Sequence, residues 1–312
     1  MSAPPIPFDQ RAVRDALREA GLRARHSLSQ NFLIDIDVLG AILAEASPAP
    51  GRRIVEIGPG LGVLTTALLD AGAAVTAVEV DDGLARRLRR DHGKALIAGA
   101  RDPDAPGGLR LIVGDALDQQ LTALARAPYD VVANLPYHIT SPILHRLLGS
   151  PPRPNRLVLM VQREVGERLA APPGAMSYLS AYVQYHASVR IARIVPPEAF
   201  EPAPAVDSAL VVLDTNPDPL PLDAGAEDDL WRLVQSGFRE RRKMLKNVLA
   251  RQLPIDAGRL AAVLDTTRID GVRRPQSLSV GEWIGLLHAL REAGFRWPDE
   301  REAAADLGQA GA

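Results

Sequence analysis

The sequence predicts an α/β protein: a mostly parallel, doubly wound, seven-stranded sheet followed by a small all-α domain at the C-terminal side. Three observations predict this. Short apolar runs alternate with helix-like stretches between residues 53 and 213, as in chains that lay helices on both faces of a parallel sheet. One of those runs, Arg53-Ile54-Val55-Glu56-Ile57, opens directly into the turn Gly58-Pro59-Gly60-Leu61-Gly62 and a helix, the strand–turn–helix form of a nucleoside site. Beyond the linker Asn216-Pro217-Asp218-Pro219-Leu220-Pro221 only helical patterns follow.

The totals narrow the class. Hydrophobic residues make up 46% and charged residues 24% of the 312, ordinary values for a water-soluble globular chain. No apolar run has the length of a membrane span, and Met1 to Arg14 has no apolar core of the signal-peptide kind. With no cysteine there are no disulfides or thiolate metal sites, which suits the cytoplasm. The six histidines show no ligand spacing, so no metal is expected. A net charge of −2 excludes a uniformly basic nucleic-acid binder; any RNA contact must come from local patches.

Taken in order, residues 1–22 read as a loosely held N-terminal tail with a short helix. Arg23, Arg25 and His26 read as solvated surface, and Asp35 or Asp37 as the cap of a helix over Ile36 to Ala46. Strands are expected at Arg53 to Ile57, Ala74 to Asp81, Leu109 to Val113, Tyr129 to Ala133, Leu157 to Val161, Tyr182 to Val195 and Asp207 to Leu213. Helices are expected over Asp82 to Ala98, with Arg86, Arg87, Arg89 and Arg90 on an exposed face, and over Glu164 to Ala171. In the helical region the expected segments are Asp228 to Gly237, Phe238 to Arg251, Asp256 to Leu264 and Ser279 to Ala293, the last opened by a Ser279/Glu282 capping box. The domain division is then 1–22, 23–214, 215–297, and an acidic, disordered tail over 298–312.

Glu79 closes the second strand about twenty residues past the first glycine, where an α/β nucleoside site places the acid that grips ribose hydroxyls. Asp115, after the third strand, can accept from an adenine amino group. The glycine pattern is G-x-G-x-G rather than the dinucleotide G-x-G-x-x-G; with Glu56 ahead of it, it resembles the S-adenosylmethionine loop of Rossmann-like methyltransferases. Asn134-Leu135-Pro136-Tyr137 ends the fourth strand. An exocyclic amine such as adenine N6 is a poor nucleophile until acceptors hold its hydrogens and favour a tetrahedral nitrogen. The Asn134 side-chain carbonyl and a backbone carbonyl of Leu135 or Pro136 can do that, with Tyr137 stacking on a flipped base.

These motifs, with Gln30-Asn31-Phe32-Leu33, Val195-Pro196-Pro197 through Phe200 to Ser208, Phe238 to Lys243 and Arg274 to Ser279, resemble the ribosomal RNA adenine N6-dimethyltransferase family across residues 22–292. The resemblance implies S-adenosylmethionine contacts from Gln30, Asn31, Leu33, Gly58, Gly60, Glu79, Asp115, Ala116 and Asn134. It also implies a target-base site of Asn134, Leu135, Pro136, Tyr137 and Phe200, although by spacing alone Phe200 equally suits a core. Two departures, Ser29 for the usual Gly and Met176-Ser177-Tyr178-Leu179 for Tyr-Gly-Arg-Leu, bear on the RNA path.

The C-terminal motifs and Leu135 look like the branch that dimethylates two adjacent adenosines in the 3′-terminal hairpin loop of small-subunit RNA. That implies a monomer acting on a pre-ribosomal small-subunit particle, away from membranes. On a helix from Phe238, Arg239, Arg242, Lys243 and Lys246 would fall within an arc of about 100° and meet phosphates together. Three other readings compete: the large-subunit branch that confers macrolide resistance, a DNA adenine methylase, and an assembly or nucleic-acid-binding factor whose methyl transfer is secondary. The intact Gly58/Glu79/Asp115/Asn134 set favours retained activity.

Overall fold

The computed structural model describes residues 9–22, 30–124, 126–136, 139–216 and 222–297. The chain runs through α1 (Gln10–Glu19), β1 (Phe32–Leu33), α2 (Ile36–Ala46), β2 (Arg53–Ile57), α3 (Val63–Asp70), β3 (Ala74–Glu79), α4 (Asp82–Asp91), α5 (Gly93–Arg101) and β4 (Leu109–Val113). It continues through α6 (Leu121–Leu124), β5 (Asp130–Asn134), α7 (Thr140–Leu148), β6 (Arg156–Gln162), α8 (Arg163–Leu169), α9 (Tyr178–His186), β7 (Ala187–Val195), β8 (Phe200–Glu201) and β9 (Ser208–Thr215). Then come α10 (Ala224–Phe238), α11 (Leu245–Gln252), α12 (Ala257–Thr266) and α13 (Val280–Glu292). Two compact units result, Met1–Ala170 with His186–Pro217, and Ala171–Tyr185 with Asp218–Ala312.

The first unit is a seven-stranded sheet ordered β4-β3-β2-β5-β6-β9-β7. Strands β2 to β6 run parallel to one another, and β9 runs antiparallel between β6 and β7. Buried on both faces, the middle strands carry unbroken apolar runs: Leu210, Val211, Val212 and Leu213 in β9 are fully buried, and so nearly are Ile54, Val55 and Ile57 in β2. Each such side chain contributes about 1.5–3 kcal/mol relative to exposure. The strand order reverses between β2 and β5, so the loops leaving their carboxyl ends part there. That crevice is where open α/β sheets hold ligands.

The second unit packs Leu230, Leu233, Leu249, Leu264, Trp283 and Leu287 into its own core. Its sequence signals hold well at α13, where Ser279 and Glu282 form the reciprocal capping box. Among the described residues no helix is long and apolar enough to cross a membrane.

Five expectations are corrected. Tyr178 to His186 is helix α9, not the start of a strand, because Tyr178, Tyr182 and Tyr185 recur at helical spacing and all pack on Trp231. It groups with the helical unit, so the boundary near residue 214 misses a contribution from 171–185. Residues 10–19 are docked rather than tail: Val13, Ala16 and Leu17 pack with Phe32, Leu61 and Leu84. Arg87 is buried rather than exposed; its Nη1 donates to the Ala16 carbonyl at 3.0 Å, tying α1 to α4. Finally, no helix spans Phe238 to Arg251. Residues 239–244 form a turn, because the amides of Leu245 and Lys246 donate to the carbonyls of Arg273 and Gly271 and restart the helix there.

Candidate active site

The carboxyl ends of β2, β3 and β5 surround a cavity that opens to solvent, at the place where open α/β sheets hold ligands. Its floor is the turn after β2. Gly58, Gly60 and Gly62 have φ of 70°, 60° and 81°, a left-handed conformation that side chains resist. At Gly60 a Cβ would also lie 3.2 Å from the Phe32 ring, so bare backbone is what allows Phe32 to roof the turn. Phe32 is held there because β1 pairs with β8, Leu33 opposite Phe200, and because α1 packs behind it. Arg14 Nε, on α1, donates to Glu201 Oε1 at 2.7 Å.

Glu79, at the end of β3, is 3% exposed. Its two oxygens accept from the amides of Gly60 (3.0 Å) and Asp81 (2.9 Å), which fixes the carboxylate against the turn. Burial pushes its pKa up and those amides pull it back. Glu56, on β2, is 1% exposed; its pKa is pushed up to about 8 by burial, opposed by hydrogen bonding from Thr65.

Asn134 ends β5. Its Nδ2 donates to the Asn31 carbonyl at 2.9 Å. Only an amide nitrogen can donate there, so this bond settles the side-chain orientation and leaves Oδ1 as the acceptor. Of the two neighbouring carbonyls, that of Pro136 already accepts the Ile139 amide at 3.1 Å, so that of Leu135 is the better second acceptor.

Of the residues read from sequence, Gln30, Asn31, Leu33, Gly58, Gly60, Glu79, Asn134, Leu135 and Pro136 line the cavity. Asp115 and Ala116 do not. Asp115 is exposed beyond β4 and accepts the Leu117 amide at 2.8 Å, while Ala116 is buried. Phe200 is corrected: it is 1% exposed in the core with Leu33, Ile42 and Met160, because the β1–β8 pairing turns it inward, and it presents no face to a base in this arrangement. Tyr137 lies outside the described residues. In the second unit Arg239 donates to Gln252 at 2.9 Å, whereas Arg242, Lys243 and Lys246 are exposed on the turn and the first turn of α11. Val80, 48% exposed at the cavity, was not singled out from sequence; an apolar residue directly after a strand-end acid was the signal available.

A glycine turn at a topological switch point, a strand-end acid and an amide oxygen beside it define a Rossmann-like methyltransferase. The family described as "Ribosomal RNA adenine dimethylase" matches residues 21–286. The chain is 41% identical over 287 residues to a "Ribosomal RNA small subunit methyltransferase A" of Geobacter sulfurreducens, covering 89% of this chain and 99% of that one. It is 40% identical to a protein of the same name from Thermosynechococcus vestitus, covering 87% and 98%. Among solved structures, a dimethyladenosine transferase from Plasmodium falciparum shares the fold at a TM-score of 0.70 and 23% identity, covering 85% and 98%. The 23S rRNA methyltransferase ErmE does so at 0.65 and 26%, covering 84% and 100%. The chain belongs to the ribosomal RNA adenine dimethylase family. Its cofactor is S-adenosylmethionine, and the cavity fits it: the bare turn admits close backbone approach, and the fixed Glu79 carboxylate offers acceptors to a ribose.

Proposed function

We propose that this protein dimethylates the N6 amino groups of two adjacent adenosines in the 3′-terminal hairpin loop of small-subunit ribosomal RNA. It acts as a cytoplasmic monomer on a partly assembled particle. The observation that carries the reading is Asn134, pinned through Nδ2 to Asn31 so that Oδ1 is kept for an amine at the edge of the cavity. The identity of about 41% to proteins named for the small subunit selects that RNA over the large-subunit alternative.

When bound, S-adenosylmethionine supplies an electrophilic methyl group on a sulfonium sulfur. Gln30, Asn31, Leu33 and the Gly58–Gly60 backbone would hold it, with Glu79 taking the ribose hydroxyls and Asp115 with Ala116 the base. Asn134 Oδ1 and the Leu135 carbonyl would hold the N6 hydrogens, aligning the nitrogen lone pair with the methyl group. Tyr137 stacks on the flipped adenine. Phe200 supports Leu33 from beneath.

The deciding experiment transfers labelled methyl groups to purified small and large ribosomal subunits and maps the modified bases. Label confined to large-subunit RNA would overturn the substrate. For the cofactor, Glu79→Ala should weaken S-adenosylmethionine binding by about 1.5–3 kcal/mol, the cost of removing a buried charged acceptor. Calorimetry showing unchanged affinity would remove Glu79 from the site.

The basic turn is proposed to meet phosphates. Reversing Arg242, Lys243 and Lys246 to Glu should weaken particle binding and lower the slope of log affinity against log salt by about 0.7–0.9 per lost contact, leaving cofactor binding intact. An unaltered slope would make this turn a merely solvated surface.

A further inference from the structure

Glu56 is a carboxyl group placed where a charge is expensive. It sits in the middle of the sheet on β2, 1% exposed, with Ala77 of β3 and Val132 of β5 as its register partners. A Leu or Gln would fill that volume without the cost of burying an ionisable group. Yet Glu56 is among the residues that line the cavity, and its surroundings act on its charge in opposite directions. Thr65 Oγ1 donates to Glu56 Oε2 at 2.7 Å. Thr65 belongs to the first turn of α3, whose amides and N-terminal dipole also favour the anion. Against these act burial and the carboxyl group of Glu79, which faces Glu56 from β3. Among the described residues no cation pairs with Glu56.

We propose that Glu56 is a proton-linked counter-charge of the cofactor cavity: it keeps its proton while the site is free, and loses it to solvent when the cationic sulfonium cofactor enters. The proposal rests on the S-adenosylmethionine reading and deepens it. Because methyl transfer turns the sulfonium into a neutral thioether, the ionised carboxylate favours the methyl donor over the spent product. The sign follows from the starting state. Glu56 stays protonated in the free protein up to about pH 8. Binding therefore releases a proton below that pH, and affinity for the donor rises with pH until it levels off above it. Glu79 does not play this part, since both its oxygens are already held by the amides of Gly60 and Asp81.

The test is calorimetric titration of the full-length protein with S-adenosylmethionine and with S-adenosylhomocysteine. It is run at pH 6.5, where the ligands' own amines stay protonated, in two buffers of different ionisation enthalpy. The expected result is release of close to one proton per S-adenosylmethionine bound and distinctly less for the product. In Glu56→Gln that release should vanish, and the ratio of the two dissociation constants should shift about five- to tenfold toward the product, the effect of one partly screened charge pair. Thr65→Val, which removes the hydroxyl that favours the anion, should move the onset of release to higher pH, and it decides the matter if Glu56→Gln does not fold. Buffer-independent enthalpies for the unmodified protein, or release that persists unchanged in Glu56→Gln or Thr65→Val, would overturn the proposal while leaving the cofactor assignment standing. If the unmodified protein binds neither ligand, the cofactor assignment falls and takes the proposal with it.

Discussion

Replacing Asn134 with alanine is expected to lower the rate constant for methyl transfer by about 10²-fold or more, the scale of losing one preorganised transition-state hydrogen bond. The residue has two jobs in the geometry described above. Nδ2 ties the end of β5 to the Asn31 carbonyl at 2.9 Å; Oδ1 awaits a hydrogen of the amine. Loss of the first would show as weaker cofactor binding, and loss of the second as slower transfer with both substrates saturating. Single-turnover assays separate them. Asn134→Asp sharpens the distinction, because it keeps an acceptor but puts two oxygens against the Asn31 carbonyl. A near-normal transfer rate for Asn134→Ala at saturation would refute the role of that residue.

Gly99→Val should be the most damaging single change to folding outside the site. A Cβ at Gly99 would lie 2.4 Å from the Leu109 carbonyl oxygen and 2.7 Å from its carbon. These are backbone atoms of β4, which cannot step aside as a side-chain tip can. The expected cost is about 3 kcal/mol, or roughly 6–12 °C in Tm for a unit of this size. Gly40→Ala on α2 is the matched control. Nothing lies within 4 Å of its Cβ, so alanine should stabilise that helix by about 0.5–1 kcal/mol. Thermal melts that fail to separate the two variants would show that α5 does not need its close approach to β4.

The sequence announced what depends on local chemistry. The β2 run, the glycine turn, the Asp35 cap of α2 and the Ser279/Glu282 box are each set by residues within a few positions of one another. It was least legible where distant partners decide. Phe200 and Leu33 belong to two-residue strands that exist only because they pair with each other, too short to leave a period in the sequence. The β-forming Tyr182, Val183 and Tyr185 disguised α9, whose true signal was the four- and three-residue spacing of tyrosines aimed at Trp231. The arginine run on α4 looked uniformly solvated, yet Arg87 turns under α1 to reach Ala16. The turn at 239–244 reflects carbonyls of Gly271 and Arg273 some thirty residues away, which no pattern around Phe238 records.

The position of β9 has a consequence for how the chain is made. β6 and β7 do not pair with each other; both wait for β9, which ends at Thr215. Segment 171–185 is synthesised earlier still, but its companions in the second unit begin only at Asp218. At a synthesis rate of about 5–20 residues per second, the nascent chain spends several seconds with a half-built sheet edge and an orphaned apolar helix. The first unit is complete at Pro217, when the second has only residues 171–185, so the sheet can close first while that helix still waits for its partners. Its yield during translation should therefore respond to chaperone supply and to elongation speed over codons 171–217 more than to changes near its start.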